Sequence, residues 1–243
     1  MRSLVPVLAL ALAAVACAAP TGEDAADDTA SAAALTPDYA KWSTFADARG
    51  LRATAGRARV IGIRGRDTSG RVHPTTVERG VFDDAVVVLT ADGRAVTLAV
   101  STHPWERGST SSPDVDGDGK GDVGMLAPGR YLAVARGADR NIAGLPTWHV
   151  LNPNGVDGLA GARNTDHDGV YSEREVAASK SRGDRLSAIL FHKGGAGAPA
   201  AIGCQVLDED GVKDLAKLVA GKDRFDYLLV DANAEADLPD LPE

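Results

Sequence analysis

The sequence predicts a mostly β domain of the α+β class: one β-rich domain with two or three short helices. Three observations predict it. Short apolar runs of strand length recur through residues 59–232. The 27 glycines and 12 prolines supply many tight turns. No period of 20–50 residues repeats, which excludes a solenoid. With 243 residues, 44% of them hydrophobic, the chain has enough apolar surface for one domain of ordinary size.

The elements follow in order. Residues 1–16 read as a secretory signal, with Arg2 at its start and an apolar run from Leu4 to Val15 that is too short to span a bilayer. The run ends in Ala14-Val15-Ala16-Cys17, and small residues directly before a cysteine resemble a bacterial lipobox. Cys17 is thus the expected lipidation site, although Ala14 stands where such boxes usually carry Leu. Residues 17–36 are Ala/Ser-rich and acidic and read as a flexible tether. In residues 37–58, Tyr39, Trp42 and Phe45 recur every third position behind Thr36 and Pro37, which predicts a short helix and then a linker.

Strands are expected at Val60–Ile63, Ala85–Thr90, Ala95–Val100, Arg130–Ala135, Thr147–Leu151, Leu186–His192 and Phe225–Asp231. Ala91-Asp92-Gly93-Arg94 makes a hairpin of the second and third. Asp208–Ala220 reads as a helix with Val212, Leu215, Leu218 and Val219 on one face and Gly221 as its stop. The acidic tail, residues 233–243, is expected to fray.

The net charge of −8 argues against a nucleic-acid partner. No other apolar run is long enough to cross a bilayer, so membrane attachment is expected only through the lipid, on an exported, monomeric protein facing the periplasm or exterior. The two cysteines exclude a disulfide-stapled scaffold and a Cys-rich zinc site. With Cys17 assigned to export, Cys204 is left single. The strand ending in His192 is followed by a small-residue loop and then Gly203-Cys204-Gln205. Two arrangements fit this spacing. In one, His192 takes the thiol proton, Cys204 attacks a carbonyl, Gly203 leaves room for substrate, the Gly203 and Cys204 amides serve the oxyanion, and Lys193 favours the thiolate. In the other, Cys204 is a small buried hydrophobe and His192 ends a strand.

The His192 … Gly203-Cys204 arrangement resembles the signature of the L,D-transpeptidase (YkuD-like) family, and its His-Lys-Gly-Gly … Gly-Cys-Gln form is similar to a divergent branch of it. Ile63-Arg64-Gly65, Arg79 to Ala85 and Gly124 to Tyr131 are similar to upstream segments of that branch, so the resemblance covers roughly residues 60–231. It implies a β-rich catalytic domain over residues 59–232 acting on peptidoglycan stem peptides. Cys204 would attack the carbonyl of the third residue, release the terminal D-amino acid, and pass the thioacyl group to an amine or to water. Two positions depart from the pattern: Ala201 stands at the Ser/Thr position, and Gln205 stands where an Arg often follows the cysteine. The alternative is a non-catalytic, calcium-binding envelope lipoprotein that keeps the fold.

Two acidic loops suggest calcium in a structural role. Asn164, Asp166, Asp168, Val170, Ser172 and Glu175 fill positions 1, 3, 5, 7, 9 and 12 of an EF-hand-type loop, with Gly169 at the sharp turn. Residues from Glu173 to Ser181 read as the exiting helix, and no entering helix precedes Asn164. Asp114, Asp116, Asp118, Lys120 and Asp122 form a second such loop, whose position 12 is Met125 rather than a bidentate acid. His73 and His103, each before a Pro, are expected to be loop residues, and His149 to be packed in a strand. No cofactor is expected for catalysis.

Overall fold

A computed structural model describes residues 35–195, 201–219 and 223–242. The expected lipidation site Cys17, nearly all of the tether, and part of the loop between His192 and Cys204 lie outside the described residues.

Thr36 caps helix α1 (Pro37–Ala48), its hydroxyl accepting from Tyr39 N at 3.2 Å, with Pro37 in the first turn. The chain then runs through β1 (Arg59–Arg64), β2 (Asp84–Leu89), β3 (Ala95–Val100), β4 (Gly124–Leu126), β5 (Gly129–Ala135), β6 (Trp148–Leu151) and β7 (Leu159–Arg163). It continues into α2 (Glu173–Arg182), β8 (Arg185–Leu186), β9 (Leu190–Lys193), β10 (Gln205–Leu207), α3 (Glu209–Leu218) and β11 (Arg224–Asp231). Eight strands form one sheet in the order β10-β9-β6-β5-β11-β1-β2-β3, and β4, β7 and β8 form a second. Strands β1–β11 and β9–β10 pair in parallel; the other neighbours are antiparallel. Just past β3, Ser101 exchanges two hydrogen bonds with Val206 of β10, at 2.7 and 2.8 Å, so the large sheet is nearly closed.

This closure explains why β1, β2 and β11 read as unbroken apolar runs: both of their faces are covered. Val60, Val86, Val88, Phe225, Tyr227 and Leu229 join the inner core, with Phe191 of β9 and Val212 and Leu215 of α3. Ile61, Ile63, Val87, Leu228 and Val230 point outward, where Trp42 and Phe45 of α1 cover them. Gly62 is required on the inner face, because a Cβ there would lie 2.4 Å from the Tyr227 hydroxyl. That hydroxyl donates to Gln205 Oε1 at 2.7 Å.

Two expectations are corrected. The expected strand Leu186–His192 is split between β8 and β9, because Ala188 takes φ +55 and turns the chain from the small sheet into the large one. The acidic tail does not fray. Leu238 and Leu241 pack against the α1 core, the Asp240 carbonyl accepts from Trp42 Nε1 at 3.0 Å, and Arg49 pairs with Glu235 and Asp237.

Candidate functional site

The parallel ladder sets Gln205 opposite Phe191 and Val206 opposite His192. Phe191 and the Gln205 side chain face the inner core. By alternation, Cys204, Val206, Leu190 and His192 share the outer face. Cys204 and His192 are thus one strand apart and two residues out of register, about 8 Å between Cα atoms. Trp105 covers this face with Ala201, its ring edge-on to Phe82 at 5.3 Å. Gly194 is needed here: a Cβ would lie 2.1 Å from Val206 and 2.4 Å from Trp105.

His192 is 2% exposed, and its Nδ1 lies 2.7 Å from the Lys193 carbonyl. A carbonyl only accepts, so Nδ1 carries the proton and Nε2 keeps the lone pair. Burial holds the imidazole below its ordinary pKa, against the Lys193 carbonyl, and it is neutral at pH 7. The Cys204 thiol lies 3.9 Å from the Ala188 carbonyl; burial pushes its pKa up to about 11, against backbone hydrogen bonding at Leu190 and then the charge of Arg136. No hydrogen bond joins the thiol to the imidazole among the described residues. Neither the Gly203 nor the Cys204 amide is engaged with another main-chain group there.

Several expected roles change. Lys193 does not serve the thiol; its ammonium pairs with Glu209 at 2.6 Å, at the start of α3. Gly203, at φ +122, gives its space to the protein rather than to substrate: a Cβ would lie 2.4 Å from the Gly124 carbonyl. Gln205, where an Arg was the pattern, points away from the thiol into the core. Cys204 instead opens onto a cavity of about 200 Å³ lined also by Ser111, Ser112, Pro113, Ala188, Ile202 and Arg163. Arg163 carries no sequence signal of its own; strand β7 brings it there.

The EF-hand-type loop leaves β7, so a strand replaces the entering helix, and it ends in α2. Ser172 and Glu175 form a reciprocal capping box at the start of α2. Four oxygens converge on Asn164 Nδ2: Val170 O at 2.9 Å, Asp168 Oδ1 at 3.3 Å, Asp166 Oδ1 at 3.4 Å and Glu175 Oε1 at 3.5 Å. An amide has two N–H groups, so it cannot satisfy four acceptors, three of them carboxylates. Backbone hydrogen bonding from Val170 lowers the Asp168 pKa.

In the second loop, one carboxylate oxygen each from Asp114, Asp116 and Asp118 lie within 4.8 Å of one another. The Lys120 amide bonds Asp118 Oδ1 at 2.8 Å, while its ammonium lies 3.5 Å from Asp118 Oδ2. Asp122 is fully buried, accepting from Val115 N at 2.6 Å, and burial raises its pKa. His167, from the first loop, lies 3.5 Å from both Asp118 and Asp122, so the two loops stand side by side.

His103 is a loop residue as expected, but a fully buried one, its Nε2 on Asp83 Oδ1 at 2.8 Å. His73 places both ring nitrogens on carbonyls, Pro74 at 2.8 Å and Asp83 at 2.5 Å, and so carries two N–H groups. Burial pulls His73 down, but these carbonyls and the Asp83 charge outweigh it and raise its pKa. Asp84 accepts from Gly65 N, Thr102 N and Thr102 Oγ1 at 2.6–2.8 Å. The three side chains form a hydrogen-bonded clasp in which Asp84 is buried and His73 and Asp83 are half-buried. His149 sits in β6 as expected, half-buried, 3.5 Å from Asp157.

No family model matches this chain, and no curated protein and no solved structure matches it either.

Proposed function

We propose that this chain is a cysteine acyltransferase or peptidase of the L,D-transpeptidase type, acting on peptidoglycan stem peptides from an exported, lipid-tethered position at Cys17. The observation that carries the reading is the hydrogen bond that holds the His192 ring. Its Nδ1–H is held by the Lys193 carbonyl at 2.7 Å, which orients the ring and leaves Nε2 as a base on the face that holds Cys204. With both the thiol and the imidazole neutral, the proton must move as the attack occurs.

In this reading the Cys204 Sγ–H proton passes to His192 Nε2 while Sγ bonds to the carbonyl carbon of the third stem residue. The Gly203 and Cys204 amides receive the oxyanion. Collapse breaks the C–N bond, and the proton leaves His192 with the amine of the terminal D-amino acid. The thioester then passes its acyl group to an amine or to water, which returns the thiol. The test is intact-mass analysis of the purified protein incubated with stem peptides, with muropeptide products measured in parallel. A thioacyl adduct on the wild type and none on Cys204→Ala is expected; equal product formation by both proteins rejects the reading.

A second reading, a calcium-binding protein without catalysis, is favoured by the four oxygens around Asn164. The donor set is hard and oxygen-only, which suits Ca²⁺. Asn164 would turn its amide oxygen toward the ion, with Asp166, Asp168, the Val170 carbonyl, Ser172 and Glu175 around it. The ion would relieve the repulsion among the carboxylates and pin the loop to α2. The second loop, Asp114 to Asp122, is the lesser candidate. Millimolar Ca²⁺ is expected to raise the thermal midpoint of the wild type, and Glu175→Gln to remove most of that rise. A midpoint indifferent to both Ca²⁺ and chelator counts against an ion at this loop.

A further inference from the structure

Arg163 lines the same cavity as Cys204 and is 6% exposed. Its guanidinium donates from Nη1 to the Asp122 carbonyl at 3.0 Å and from Nη2 to the Arg185 carbonyl at 2.7 Å, while Nε has no partner. Among the described residues no carboxylate lies within ion-pair distance of it; the nearby Asp184 is engaged by Arg182 at 2.8 Å. Burial lowers the Arg163 pKa, although a guanidinium stays charged at neutral pH.

A buried cation held only by neutral carbonyls is a costly arrangement unless an anion completes it. The thiol is not that anion, because burial keeps it protonated at neutral pH. The guanidinium is also held in place. Its two carbonyl bonds fix the plane of the fork, and Gly124 leaves it room: a Cβ there would lie 3.1 Å from Nη1. The Nη–H groups not engaged by these carbonyls remain as donors that match the two oxygens of a carboxylate.

We propose that Arg163 binds a carboxylate of the acyl donor, so that the Cys204 cavity takes peptide ends with a free terminal carboxyl group beside the scissile bond. This rests on the reading of Cys204 as nucleophile and narrows it. The leaving residue is a terminal amino acid, and an internal peptide bond, which has no carboxylate at that position, is a poor substrate.

The test uses the full-length protein and two stem tetrapeptides that differ only at the end, one a free D-amino acid carboxylate and the other its carboxamide. Calorimetry on the Cys204→Ala protein reads binding without turnover. The free acid is expected to bind on the order of 10- to 100-fold more tightly than the amide, and Arg163→Gln in that background to erase the difference. Arg163→Lys, which keeps the charge and loses the fork, is expected to retain only part of it, and it serves if the glutamine variant fails to fold. Equal affinity for the two peptides, or a preference that survives Arg163→Gln in a folded protein, overturns the proposal. Acylation of the wild type is scored separately by intact mass. Selective binding without acylation upholds the carboxylate site and rejects the reaction; acylation without selective binding does the reverse.

Discussion

Replacing His192 by glutamine is expected to slow acylation of Cys204 by about 10²- to 10⁴-fold, the usual contribution of a positioned general base. Glutamine keeps the size of the side chain and a hydrogen-bonding head, so a loss of this size reports proton transfer rather than packing. The pH profile separates the two further. The wild type needs neutral His192, whose pKa burial holds below 6.5, so its rate should fall only in acid, below pH 6.5, and be flat across neutral pH. The variant has no base, and its thiol, pushed up to about 11, must ionise unaided; its rate should climb steadily from neutral pH toward that value. A wild-type rate that climbs in the same way would mean that the imidazole takes no part. The same burial has a sign for stability. Below pH 6.5 the unfolded chain protonates His192 before the folded one does, so stability falls with falling pH. Above pH 9 the unfolded thiol ionises while the folded one holds its proton to about 11, so stability falls again with rising pH.

Asp84→Ala is expected to cost about 3–5 kcal/mol of folding stability, measured by denaturant midpoint at neutral pH. The carboxylate is fully buried at the head of β2 and accepts from the Gly65 amide and from both the amide and hydroxyl of Thr102. It thereby ties the end of β1 to the segment leaving β3, next to the Ser101–Val206 closure. Arg64, 1% exposed, leans on the same Thr102 through its carbonyl and hydroxyl. Alanine would leave the Gly65 and Thr102 donors unpaired in the interior. Asp84→Asn retains a side-chain acceptor and should lose less. A change under about 1 kcal/mol for Asp84→Ala would mean that the segment relaxes to satisfy these groups elsewhere.

The fold was legible where local pattern and long-range packing agree. Thr36-Pro37 announces α1, the Ala91–Arg94 turn announces the β2–β3 hairpin, and Asp208 opens α3 as its side chain accepts from Gly211 N at 2.7 Å. The short strands β4 and β7 were not legible, because Gly124-Met125-Leu126 and Leu159 to Arg163 are too short and too rich in Gly and Ala to carry a period. The tail misled for a related reason: Leu238 and Leu241 are two apolar residues among prolines and acids, and only the exposed edge of the α1 core gives them a surface to cover. At the site, Cys204 and His192 stood out by residue type and order. Arg163, Asp84 and the buried His103 did not, since each acquires its setting from segments distant in sequence. Lys193 misled because a cation next to a histidine suggests a shared role, whereas strand alternation sends neighbouring side chains to opposite faces.

Strand β11 lies in the middle of the large sheet, between β5 and β1, although it comes after all of its neighbours in chain order. Until residues 224–231 leave the ribosome, β5 and β1 each present an open edge, and the inner core lacks Phe225, Tyr227 and Leu229. The large sheet must therefore wait for β11 to be synthesised, since every shorter nascent length is two half-sheets without their keystone. A message truncated before codon 224 should yield not a smaller domain but a product with bare strand edges, exposed to proteolysis and self-association.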